Sequence, residues 1–180
     1  TQKRTTQPMP EQAPVFLVNP YTDPVVIRIN GRANYLNSAP MREFFAMMIG
    51  QGRRNISVDF RNCLSADSTF LGIVAGAALE LMDLDPPGEM RLNSLGPRNL
   101  ELICNLGLHR IACIGESGPE AGVDDRLHAL SPDTSDKDDR VRMIIDAHKK
   151  LIKCDESNAE RFQDVLTFMR KRGGWDPSTE

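Results

Sequence analysis

Aromatic side chains are scarce: the 180 residues include one tryptophan, two tyrosines and seven phenylalanines, so the core must be built mainly from aliphatic groups. Long apolar runs are missing too. The longest uncharged stretch, residues 68–79, falls far short of the roughly 20 residues that cross a bilayer, which excludes a membrane span. The net charge of −3 offers neither a basic groove for nucleic acid nor a basic patch for lipid headgroups. The first residues are polar, without the apolar segment of a secretory signal.

Catalytic and metal-binding signatures are likewise absent. Cys63, Cys104, Cys113 and Cys154 form no Cys-x-x-Cys pair and are expected to be small buried hydrophobes, which suits the cytoplasm. His109, His128 and His148 have no metal-ligand spacing, and His148 falls on a helical apolar stripe. No phosphate-binding glycine loop and no nucleophile elbow occurs. Three scattered histidines supply no nucleophile–base pair, and the paired acids Asp138 and Asp139 read as solvated. The expectation is a protein without enzymatic activity, cofactor or metal.

What is present is an alternation of strand and helix signals. Residues 15–19 and 25–30 read as strands joined by a turn, and 55–60 as a third strand. Asn37 or Ser38 starts a helix whose Met41, Phe44, Phe45, Met48 and Ile49 make one apolar face, ended by Gly50 and Gly52. A fourth strand is expected at 89–93. A helix opened by Pro97 comes next, with Leu100, Ile103 and Cys104 inward, and then a fifth strand at 110–114. Connections of this length imply a partly parallel sheet.

The most informative stretch is 58–84, a buried strand, a polar turn and an almost charge-free helix. Asp67, Ser68 or Ser65 can cap that helix, which places the hydroxyls of Ser68 and Thr69 at its positive end. Ligand or partner sites in such layers gather beyond the carboxyl ends of the strands, where the segments 31–34 and 64–69 are both expected.

The organisation read from composition is a loose tail at 1–12, a domain at 13–115, a linker at 116–138, a helical hairpin at 139–172 and a frayed tail at 173–180. Val141, Ile144, Ile145, His148, Leu151 and Ile152 form the stripe of the first hairpin helix. Ser157 to Glu160 spells a capping box for the second. The hairpin's apolar faces could cover each other, an edge of the sheet or a second subunit, so a homodimer is compatible with them.

Together these residues resemble a STAS domain of the anti-sigma factor antagonist family. The family's Asp-Ser-Ser/Thr-Gly-Leu-Gly at a helix start is matched by Asp67-Ser68-Thr69-Phe70-Leu71-Gly72. Gly31 after the second strand, residues 58–60, Pro97 and Gly107-Leu108 agree in order and spacing. The resemblance implies an α/β fold with a mixed sheet of about five strands and helices layered on one face, to which the hairpin is added. It also implies phosphorylation of Ser68, with Thr69 the lesser candidate. The kinase would be a partner anti-sigma factor related to histidine-kinase ATPases, and a PP2C-type phosphatase would reverse the step. Partner contacts would come from Gly31, Arg32, Asn34, Asp67, Ser68, Thr69, Phe70 and Leu71. Phe70 stands in place of the usual glycine and Asn34 where many antagonists carry an acid. The other role the resemblance allows is an accessory subunit of an ABC-type lipid transporter, without obligatory phosphorylation.

Overall fold

The computed structural model describes residues 13–116 and 126–174. The expected tail at 1–12, residues 117–125 of the linker and the terminal residues 175–180 lie outside them. The element order is β1 (Phe16–Asn19), β2 (Val25–Ala33), α1 (Ala39–Gly50), β3 (Asn55–Ala66), α2 (Ser68–Met82), β4 (Glu89–Asn93), α3 (Pro97–Asn105), a 3-10 turn (Leu108–Arg110), β5 (Cys113–Gly115), β6 (His128–Ala129), α4 (Lys137–Cys154) and α5 (Asn158–Gly173).

The strands form one mixed sheet in the order β5-β4-β3-β2-β1-β6. β1 runs antiparallel to both β2 and β6, while β2, β3, β4 and β5 pair in parallel. This is the α/β architecture the resemblance implied, with a sixth strand supplied by the linker.

Period-two alternation sorts the central strands. Val25, Ile27 and Ile29 of β2, Ile56, Val58 and Phe60 of β3, and Met90 and Leu92 of β4 join one apolar core with the buried faces of α1 and α2. The opposite face carries Arg28, Ser57, Asp59 and Asn93, all buried. Asp59 bonds Arg28 Nε at 3.1 Å and Arg61 Nε at 3.0 Å, and Asn93 Nδ2 donates to Ser57 Oγ at 2.7 Å. A buried carboxylate is tolerable only with such partners.

Helix α2 is apolar on nearly every side because α4 covers the flank that α1 and the sheet leave open. The two helices touch along Gly72 and Gly76. A Cβ at Gly72 would lie 2.3 Å from the Ala147 carbonyl oxygen, so glycine is what permits the approach. α5 packs on α4 in turn. Asn158, fully buried at the start of α5, donates through Nδ2 to the carbonyls of Leu106 (2.9 Å) and Leu151 (2.8 Å). The hairpin therefore folds onto its own domain, through α4 on α2.

Five local expectations need correction. Residues 110–114 are not one strand: after Gly107, at φ +83°, the chain makes the 3-10 turn, and β5 begins only at Cys113. In α3, Ile103 is buried but Leu100 and Cys104 are exposed, and Asn99 takes an inward place. The four cysteines are free thiols and none is fully buried; Cys104 and Cys113 are exposed. Ser157 does not close a capping box, because its hydroxyl bonds Asp155 Oδ1 instead. Finally, the linker is partly built into the sheet: β6 pairs with β1, and Leu130 N–H donates to Phe16 O.

Candidate functional site

β2 and β3 run further than their apolar cores. Beyond Arg28 and Asp59 the pairing continues through two register shifts to Ala33 and Ala66, and Gly31 at φ +92° sits at the second shift. Such irregularities bend a strand pair and re-aim the residues beyond them. Segment 31–34, expected as a loop, is thus mostly strand, and it lies beside 63–66.

Asp67 closes the corner. Its N–H donates to Ala33 O, its Oδ1 accepts from Phe70 N–H at 2.8 Å as the cap of α2, and its Oδ2 accepts from Tyr35 N–H at 2.8 Å. Of the three candidate caps, Asp67 does the capping, and its second oxygen ties the β2–α1 connection to the helix start. Burial raises the Asp67 pKa, opposed by the N–H groups of Phe70 and Tyr35 and by His148.

With Asp67 as cap, Ser68 is the first residue of α2 and its hydroxyl is free to act elsewhere. It lies 2.9 Å from Nε2 of His148, on α4. Nδ1 of that ring is 2.7 Å from the Ile144 carbonyl oxygen, one turn back on the same helix. A carbonyl only accepts, so Nδ1 carries the hydrogen; in the neutral ring Nε2 is then an acceptor, and Ser68 O–H donates to it. Burial pushes the His148 pKa down, with Ile144 O and Asp67 pulling the other way. His148 is 2 % exposed and meets the Phe162 ring of α5 edge-on at 4.7 Å.

The expectation that no nucleophile–base pair could be assembled is therefore overturned: Ser68 and His148 are one. Catalysis needs more than that pair. The ring's other nitrogen is held by a backbone carbonyl rather than a carboxylate. The cleft between α1, α2 and α4, lined by Gly72, Gly76, Asp146 and Lys150 among others, includes neither Ser68 nor His148.

The remaining predicted residues divide. Arg32 is exposed, and Gly31, Asn34, Asp67 and Ser68 are half-buried, so these share the accessible rim. The Asn34 side chain works locally, with Oδ1 accepting from Leu36 N–H. Thr69, Phe70 and Leu71 are buried and leave the contact surface. Phe70 points into the core, where its ring stacks on Phe16 at 5.6 Å, rather than standing near a partner. Tyr35, Leu36 and Leu64 were not anticipated, yet they are large exposed apolar groups on the segments that meet at Asp67. Their signal in the sequence was an apolar residue inside a polar turn.

No family model matches this chain, and no curated protein is significantly similar to it. Among solved structures, it is similar to the anti-sigma factor antagonist SpoIIAA in its unphosphorylated form, at 23% identity and a TM-score of 0.49, over 62% of this chain and 96% of that one. It is also similar to a Thermotoga maritima protein assigned as an anti-sigma factor antagonist, at 19% identity and a TM-score of 0.49, over 57% of this chain and 86% of that one.

Proposed function

We propose that this chain is a STAS-type regulatory binding module, acting without catalysis of its own in the cytoplasm, whose partner choice is switched by phosphorylation of Ser68. The observation that carries the reading is the placing of Ser68: half-exposed at the first turn of a buried helix, on a rim shared with Arg32, Asn34 and Asp67. Thr69, the alternative acceptor, is 4 % exposed and faces inward. The kinase in this reading is an anti-sigma factor of the histidine-kinase-like ATPase type, and a PP2C-type phosphatase resets the switch.

The electrostatics suit a signal written on the surface. A phosphoryl group adds about −1.5 to −2 charge at neutral pH. The N-terminus of α2 favours that charge by about 0.3–1 kcal/mol, and the Asp67 carboxyl opposes it. The fold is held by the sheet and by α4, so it survives the modification. A partner face fitted to a neutral hydroxyl does not, because burying added negative charge against it costs several kcal/mol.

Affinity capture from native lysate with wild type, Ser68→Ala and Ser68→Asp as baits tests this. The expected result is a kinase-like ATPase retained by wild type and Ser68→Ala and lost with Ser68→Asp, with phosphate found at Ser68 of the wild type. A transporter ATPase held equally by all three baits would overturn the switch in favour of an accessory subunit of a lipid transporter.

A further inference from the structure

We infer that His148 takes up the Ser68 hydroxyl proton and then holds the phosphate: phosphorylated Ser68 is bound to α4 as a phosphate–imidazolium pair, with α4 still docked on α2. This deepens the switch reading and rests on Ser68 being the modified residue. Three observations lead to it. Nε2 of His148 is 2.9 Å from the oxygen that would be modified, and its lone pair is directed at the hydroxyl hydrogen because Nδ1 is committed to Ile144 O. The ring cannot easily turn away, since it is buried against Phe162 on α5. α4 in turn is locked to α2 one turn further on, where the Ala147 carbonyl sits against Gly72.

The chemistry balances within these groups. As the Oγ–P bond forms, the bond from the γ-phosphorus to the bridging oxygen of the partner's nucleoside triphosphate breaks. The nucleoside diphosphate leaves with the bonding electron pair, and the Ser68 hydroxyl proton passes to His148 Nε2. The hydrogen bond then reverses direction: Nε2–H donates to a phosphate oxygen. Before modification the ring is kept neutral by burial. Afterwards an adjacent dianion and Asp67 both favour the cation. Among the described charged groups, Asp67 acts on the ring; α5 presents Phe162 to it, and α4 the Ile144 carbonyl. Ser68 is only half-buried, so the remaining phosphate oxygens face solvent. The imidazolium offsets about one of the added charges, so the partner meets about one net negative charge instead of two.

The test installs phosphoserine at position 68 of the full chain by genetic-code expansion, so no kinase is required. Imidazole nitrogen NMR is followed through a pH titration in this protein and in the unmodified one, with His148→Gln used to assign the signals. Hydrogen exchange across α4 is measured on both. The expected result is a His148 proton affinity raised at least about tenfold, both ring nitrogens protonated at neutral pH, and unchanged protection of α4 amides. A His148 that stays neutral, an α4 that loses protection, or a phosphoserine protein that fails to fold would each overturn the inference. Failure of the lysate experiment would remove the kinase while leaving this pair measurable, so the two claims fail separately.

Discussion

Adding one methyl group at Gly72 tests the α2–α4 seam. An alanine Cβ there would lie 2.3 Å from the Ala147 carbonyl oxygen, 2.6 Å from its carbon and 2.8 Å from the Ala147 Cβ. Two of the three atoms are backbone, so no rotamer change relieves the contact and α4 must retreat by about 1 Å. Overpacking of this kind costs about 1–3 kcal/mol, while replacing a helical glycine by alanine returns up to about 1 kcal/mol. The net expectation for Gly72→Ala is a loss of about 0–3 kcal/mol. Gly76→Ala is the internal control, because its Cβ would meet only the flexible Lys150 side chain, at 3.2 Å. That variant should gain up to about 1 kcal/mol. Urea unfolding should therefore separate the two variants by about 1–3 kcal/mol, or about 0.5–1.5 M in midpoint at a slope near 2 kcal/mol/M. Because Ser68 sits one turn from Gly72 and His148 directly follows Ala147, α4 amide exchange should quicken in Gly72→Ala alone. Equal stability of the two variants with equal α4 protection would refute the packing argument and, with it, the rigidity claimed for the His148 ring.

The same contacts give further expected outcomes. His148 has a folded pKa below the unfolded value of 6.5, so the unfolded chain binds more protons in that window. Its stabilising contribution is complete above about pH 6.5 and is lost as pH falls towards the folded pKa; His148→Gln should flatten that part of the stability–pH curve in denaturant titrations. Asp67→Ala removes the cap of α2 and the tie to Tyr35, an expected cost of about 1–2 kcal/mol by chemical denaturation. Phe70→Ala opens a cavity against Phe16 and should cost about 3–5 kcal/mol, a core effect measurable by thermal unfolding without any partner. Asn158→Ala leaves the Leu106 and Leu151 carbonyls without that donor, for about 1–3 kcal/mol and faster exchange in α5.

Local periodicity carried most of the fold. The apolar face of α1 and the strand–cap–helix run around Asp67 were legible because the signal lies within one element. β6 was not, since His128 and Ala129, a two-residue segment between leucines, acquire strand geometry only from β1 beside them. The 110–114 misreading has the same origin: an apolar run says that residues are sheltered, and Gly107 decides how the chain turns. At the site, residues 31–33 extend β2 instead of forming a loop, and which side chains face outward was not legible, because Phe70 is recruited by Phe16, far upstream. The Ser68–His148 contact joins residues 80 positions apart, and no local pattern encodes it. His148 was read correctly as part of an apolar stripe; that the stripe ends on a serine hydroxyl is a fact of tertiary packing.

The strap that delivers α4 has a consequence of its own. Asp133 Oδ2 accepts from Ala39 N–H at the start of α1, Leu130 is tied to Phe16, and only residues 134–136 separate Asp133 from α4. A helix on so short a leash returns to its seat as an intramolecular event, at an effective concentration on the millimolar scale or above. Any outside helix competing for the same flank of α2 would have to overcome that local supply. The flank of α2 is in effect permanently occupied by the chain's own helix.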